Sequence, residues 1–526
     1  MALARDETFE ITSLGAKEIA RQIKSGNLSA VEAVEAHIQR IEAVNPSLNA
    51  VVVTLFDEAR TAASEADAAR QQGARLGPLH GVPITIKESF DVAGTATTMG
   101  LSARATRKAA HDGPLVARLR RAGAIILGKG NVPQLLMAAE SDNPLYGRTN
   151  NPWNRERAPG GSSGGCAAII AAGGAALGLG SDIGSSIRNP AHACGISGLK
   201  PTSWRLTMQG HGEIFPGLEA VVCQPGPLGR SVADLILAME VLAAPGQESF
   251  DPSIPPVPLR DPAAVSVKDL RVAAYTDNGF IKAAPALRRA VREAADALRM
   301  RGVEVEEWSP PDTSEAWRIY VGLCFADGMA NARRQLAGSR PDRRLKQVIR
   351  SAATPKGVLS ASYWVLRAFG QRRAAESARS LGAISAKNYW QLVEQRTRYR
   401  ERFMAELKTR RFDAIICPPD ALPALRHGAS LYLSDALSYA GIFNLLGMPA
   451  GVVAATRVQL GEESDREPGL DLVEVTARKV EQGSTGLPVG VQVAAPHWRE
   501  DIVLALMATL EEHFKTQPSY PSRPPL

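Results

Sequence analysis

The sequence predicts an α/β fold, a β-sheet with helices packed on its faces. Two patterns carry that expectation. Val82, Ile84 and Ile86 alternate with Pro83, Thr85 and Lys87, the period-two signature of a strand. Further on, Arg271–Tyr275, a helical stretch 285–301 and Val303–Glu307 make a β-α-β unit punctuated by Gly302.

The elements follow in order. Residues 14–45 read as two helices; Ser29 and Glu32 have capping-box spacing, and Val31, Val34, Ile38 and Ile41 recur at helical intervals. His37 beside that stripe is read as structural, and 50–72 as a third helix. Leu115–Arg121 is a helix closed by Gly123, and Ala124–Leu127 a strand. Residues 158–200 hold eleven glycines, a density unusual for regular structure. Asp234–Leu242 is helical, and Pro252, Pro255, Pro256, Pro258 and Pro262 mark a linker or surface loop. Residues 312–411 read as almost wholly helical. Ala414–Ile416, Gly451–Ala454 and Gly490–Val493 are late strands, and 501–514 is the last helix. The division expected is a helical segment 1–75 packed on the core, a main domain 76–516 that includes the largely helical region 312–411, and a flexible, proline-rich tail 517–526.

Bulk properties exclude several classes. With 526 residues, 45% hydrophobic and 22% charged, the chain has ordinary globular composition and can enclose a site. The net charge is +7, but Arg333–Arg379 alone carries +10, leaving the remainder mildly acidic. That argues against a nucleic-acid binder; the basic stretch is either a solvated helical face or a contact for an anionic surface. Five scattered cysteines form neither a disulfide framework nor a CxxC pair, which fits a reducing compartment. No HExxH or clustered histidine pair points to zinc, and no metal or cofactor is expected. The N-terminus lacks an apolar signal core. The longest small and apolar run, Ala167–Gly180, is 14 residues, against about 20 for a membrane-spanning helix. A soluble, cytoplasmic protein is expected.

Three residues stand out chemically: Lys87 at a strand end, Ser162 in PGGSSGG and Ser186 in SDIGSSIR. A serine hydroxyl is a poor nucleophile until a base takes its proton. Lysine can be that base only when neutral, and at a pKa near 10.4 only ~0.04% is neutral at pH 7. Burial after an apolar strand can lower that value; reaching about 8 costs roughly 3 kcal/mol. The glycines let backbone N–H groups face a developing oxyanion, each such donor being worth about 3–4 kcal/mol. Ile183, Gly184, Ser185 and Ser186 are the candidates for that nest.

The string GGSSGGCAAIIAAGGAALGLGSDIGSSIR resembles the amidase signature. Lys87 lies 75 residues before Ser162, and Ser162 lies 24 before Ser186, matching that family's Ser-Ser-Lys triad. GLPVGVQVAAPHWREDIVLALM, FNLLGMPAGVVAATRV, NVPQLLMAAESDNPLYGRTNNPW and IKES are similar to its fatty acid amide hydrolase branch, from about residue 75 onward. The resemblance implies an amidase-signature fold, a twisted mixed β-sheet packed between helices on both faces. It implies Ser186 as nucleophile, and Ser162, after a cis peptide, as the bridge to Lys87. It also implies Leu136 and Met137 as acyl-channel residues, although as apolar residues they fit a core equally well. Two departures stand out. Ser185 replaces the family's glycine in the oxyanion loop, and the family's membrane anchor has no counterpart.

Competing motifs fail on context. Gly160–Gly164 spells GxSxG, but polar NPWNRERAP precedes it where a strand is needed. Gly123–Lys129 nearly spells a phosphate loop, yet its interior is apolar and Gly130 follows. Ser197–Lys200 (SxxK) and Ser141–Asn143 (SDN) occur in reverse order without KTG. Asp182 and Arg188 are read as holding the loop, and His192 and Cys194 as packing.

The function expected is hydrolysis of hydrophobic or fatty acyl amides, and of esters, through an acyl-enzyme. The alternatives are an aryl or short-chain amidase, and a tRNA-dependent amidotransferase A-type subunit; a non-catalytic binding protein fits poorly with Lys87, Ser162 and Ser186 all present. The expected partners are a small-molecule amide, a second copy of the chain in a homodimer, and a membrane surface met peripherally through the apolar stretch 357–370.

Overall fold

The computed structural model describes residues 5–354 and 356–526. Its centre is a mixed sheet, eleven-stranded among the described residues. Across the sheet the order is Val51–Thr54, Ile125–Gly130, Pro83–Lys87, Leu177–Asp182, Gln224–Gly229, Ser197–Lys200, Ala450–Arg457, Pro488–Ala494, Ala414–Cys417, Arg271–Ala274 and Glu304–Glu307. Pro83–Lys87 runs parallel to both neighbours, whereas the strands from Gln224–Gly229 to Pro488–Ala494 pair antiparallel. The β-α-β unit foreseen at 271–307 is present as two parallel strands, joined through Pro285–Met300.

Strand residues alternate faces, and every residue of Pro83–Lys87, Ile125–Gly130, Leu177–Asp182 and Pro488–Ala494 is buried. Both faces of the central sheet are therefore covered, as near-continuous apolar strands require. The helices Gly164–Ala171, Arg188–Cys194 and Glu500–Lys515 pack on it and share one core with it.

Local chemistry explains several boundaries. Ser29 and Glu32 close the capping box that starts Ala30–Leu48, burying Val34, Ile38 and Ile41, while Val31 on the first turn stays exposed. His37 is buried with Nδ1 against the Ala33 carbonyl. The single helix foreseen over 50–72 is instead a strand followed by the helix Phe56–Gln71. The β-branched run Val51–Thr54 joins the sheet as an edge strand, where its propensity is satisfied.

The glycine-rich stretch is regular after all: helix, strand, helix and strand occupy 164–171, 177–182, 188–194 and 197–200. Close packing selects the small residues. A Cβ on Gly180 would lie 2.7 Å from Leu228 and 2.9 Å from Ser163 Oγ. Gln224–Gly229 lies well inside the sheet despite Pro225 and Pro227, so proline hid it from the periodicity. The segment 312–411 is helical through Thr313–Cys324, Ala330–Gln335, Arg343–Ala352, Lys356–Ala368, Arg372–Ser380 and Ala386–Arg410. The tail 517–526 has no helix or strand, yet it is held: Ser519 bonds Thr456 and Arg457, Pro521 is buried, and the Arg523 guanidinium sits 3.5 Å from the Phe9 ring centroid.

Candidate active site

Lys87 ends a strand flanked by parallel neighbours, and its side chain is wholly buried. Its Nζ donates to Ser162 Oγ at 2.7 Å, to Ser181 Oγ at 2.9 Å and to the Ser181 carbonyl at 3.3 Å. Burial, which disfavours the ammonium, outweighs the opposing pull of Cys223, Cys166 and Asp182 and brings the Lys87 pKa down to about 8.

Ser162 precedes the helix Gly164–Ala171 from a loop whose Gly161–Ser162 peptide is cis. Gly161 has to be glycine, since a Cβ there would meet the Ala138 carbonyl oxygen at 2.3 Å. No strand leads into this turn, so the GxSxG string has no nucleophile-elbow geometry. The phosphate-loop look-alike is the buried strand Ile125–Gly130, and Ser197–Lys200 is likewise a strand.

Ser186 stands on the loop between the strand Leu177–Asp182 and the helix Arg188–Cys194. Asp182 shapes this loop. Its carboxylate accepts the N–H groups of Ser185 (2.7 Å) and Ile187 (3.1 Å), and an ion pair with Arg188 (3.0 Å) in which neither side chain is exposed. Burial works against the charge on Asp182, but the Arg188 guanidinium outweighs it and holds the carboxyl well below the usual range. Arg188 is satisfied in turn by Gln492 and the Ala440 carbonyl at 2.8 Å and by Asn444 at 2.5 Å.

Two adjoining cavities meet at Ser186. One, of about 170 Å³, is lined by Ser162, Ser181, Ser186, His211, Glu213 and Cys223 among others. The other, of about 320 Å³, is mainly apolar, with Leu136, Met137, Phe215, Trp317, Tyr320 and Phe325 on its walls. Leu136, Ile183 and Ser186 belong to both. The structure thus brings together Lys87, Ser162, Ser186, Ile183, Gly184, Leu136 and Met137.

Ser185 departs from the expected nest. It lines neither cavity, its N–H is turned to Asp182, and it adopts φ 97°. Its Oγ is buried without a hydrogen-bond partner among the described residues. The carboxylate behind the loop captures this amide. The N–H groups of Ile183, Gly184 and Ser186 make no hydrogen bond to another described residue.

His192 is structural: Nδ1 accepts from the Gly490 amide, and Nε2 faces the Leu422 carbonyl at 3.0 Å. The sequence did not single out Ser181 or Tyr320. Ser181 could have been found, because it neighbours Asp182 on the strand paired with that of Lys87. Tyr320, whose hydroxyl donates to the Ile183 carbonyl at 3.1 Å, arrives from a helix remote in sequence.

Residues 32–504 match the amidase family. The chain is 33% identical to fatty-acid amide hydrolase 1 of Sus scrofa, over 95% of this chain and 86% of the other. It is 41% identical to indoleacetamide hydrolase of Bradyrhizobium diazoefficiens, over 60% of each. A solved fatty acid amide hydrolase superposes with a TM-score of 0.85 at 28% identity, covering 97% of this chain and 86% of that one. The chain belongs to the amidase-signature family and is an amide-cleaving serine hydrolase.

Proposed function

We propose that the chain hydrolyses hydrophobic acyl amides, with Ser186 as nucleophile and Ser162 and Lys87 as its proton relay. The observation that carries this reading is the buried Lys87–Ser162 hydrogen bond, at a cavity wall shared with Ser186. Ser186 Oγ attacks the carbonyl carbon while its proton passes to Ser162 and that of Ser162 to neutral Lys87. With a pKa of about 8, roughly a tenth of Lys87 is neutral at pH 7, over two hundredfold more than for a solvated lysine. The amides of Ile183, Gly184 and Ser186 receive the oxyanion. The proton returns through Ser162 to the leaving amine, and water then releases the acid by the same relay.

The larger, apolar cavity takes the acyl chain, and the smaller one the leaving group. The fatty acid amide hydrolase relatives support a long acyl chain. Indoleacetamide hydrolase favours the second reading, an aryl or short-chain amide. A series of acyl p-nitroanilides separates the two. Under the first, kcat/KM rises from acetyl to decanoyl; a maximum at acetyl or at an arylacetyl group overturns it. Glutaminase activity in a stable heteromer would favour the amidotransferase subunit.

The helix Lys356–Ala368 and the residue after it expose Trp364 (70%), Val365 (55%) and Phe369 (72%) beside Arg367. This apolar and basic face supports peripheral contact with an anionic membrane. Among the described residues no helix is long and apolar enough to cross one. Co-sedimentation with phosphatidylserine vesicles at low salt tests the contact, and failure to pellet removes it. A dimer in lipid-free sedimentation would assign the face to a second copy instead.

A further inference from the structure

We propose that Tyr320 is a positioning residue for the oxyanion-binding peptide, fixing the Ile183–Gly184 unit from outside the signature segment; the inference rests on the role given above to the 183–186 loop. The Tyr320 hydroxyl donates to the Ile183 carbonyl at 3.1 Å. In a planar trans peptide the carbonyl and the following N–H point in opposite directions. Anchoring the carbonyl on one side therefore aims the Gly184 N–H on the other, and that N–H is otherwise unengaged among the described residues. Hydrogen bonding to the carbonyl also polarises the peptide and strengthens its N–H as a donor.

The ring is itself held. It stacks on Trp317 at 5.1 Å and 15°, and Trp317 Nε1 donates to Asp435 at 2.8 Å. Burial keeps the phenol protonated, so it remains a donor.

The contact also explains the residue at 184. A Cβ there would lie 2.1 Å from the Tyr320 hydroxyl oxygen but 3.1 Å from the ring carbon bearing it. Glycine at 184 and tyrosine at 320 are therefore sterically matched, although they stand on distant parts of the chain. The pairing predicts an interaction between substitutions that independent packing roles would not give.

The test uses the full chain, decanoyl p-nitroanilide as substrate and a decanoyl trifluoromethyl ketone as a tetrahedral-adduct inhibitor. Active-site titration with a fluorophosphonate counts only folded enzyme. In Tyr320→Phe, kcat falls about tenfold, KM changes less than about twofold, and the inhibitor weakens by the same factor as kcat/KM. Gly184→Ala alone is more damaging, and adding Tyr320→Phe to it raises activity above that of Gly184→Ala. An unchanged kcat in Tyr320→Phe, or a double variant no better than Gly184→Ala, overturns the proposal. An unaltered chain inactive on the anilide, with Ser186 unlabelled, removes the underlying reading as well.

Discussion

Lys87 and Ser162 are joined by a 2.7 Å Nζ–Oγ hydrogen bond between two buried side chains. A strand end deep in the sheet thus meets a loop 75 residues later, and the amine it buries gives up part of its basicity to be there.

Replacing that amine should abolish the relay and spare the fold. Lys87→Ala is expected to lower kcat for an amide by at least about a hundredfold, and for a p-nitrophenyl ester by less, since phenolate needs no proton to leave. Steady-state kinetics on both substrates, with circular dichroism as the fold control, check it.

The pH profile follows from the same residue. Because Lys87 must be neutral to accept a proton, kcat/KM should rise with pH and level off above an apparent pKa of about 8. A profile already flat from pH 6 to 9 would assign the base elsewhere.

Stability should rise with pH as well, over a higher range than activity. A lysine lowered from 10.5 to about 8 disfavours the folded state by about 3 kcal/mol at pH 7. The unfolded chain binds the extra proton between those values, so the cost is full below pH 8 and fades as pH rises to 10.5. Lys87→Met is expected to raise Tm at pH 7 and to lose that advantage near pH 10, as calorimetry at the two pH values would show.

At the loop, Asp182→Ala leaves Arg188 buried without its partner charge and frees the Ser185 and Ile187 amides. Breaking a buried pair in this way costs about 3–5 kcal/mol. Denaturant unfolding should show it, with activity lost beyond what stability explains.

Ser185 carries the opposite expectation. At φ 97° with a buried hydroxyl that has no partner among the described residues, it pays twice for its side chain. Ser185→Gly should stabilise the protein by about 1–2 kcal/mol, read as a higher Tm.

How much of this was legible beforehand depended on where the information lay. The periodicity of Val82–Lys87 and the β-α-β unit at 271–307 rest on local alternation, and both elements form as read. The strand at Gln224–Gly229 was invisible because its two prolines carry the usual mark of a loop. The strand Val51–Thr54 was hidden by the helix that follows it. At the site, the spacing of Lys87, Ser162 and Ser186 was readable. The commitment of the Ser185 amide to Asp182 was not, since it depends on which way one peptide turns. Tyr320 was out of reach for a different reason: its contact with the loop comes from packing a distant helix, and tyrosine at helical spacing reads as core.

We propose that Lys87, through Ser162, makes Ser186 the nucleophile, which is read out by labelling the protein with a long-chain fluorophosphonate and mapping the modified peptide by mass spectrometry. Phosphonylation of Ser186 is expected, slowed at least tenfold in Lys87→Ala. Modification of Ser162 or Ser185 in its place, or an undiminished rate without the lysine, would contradict it.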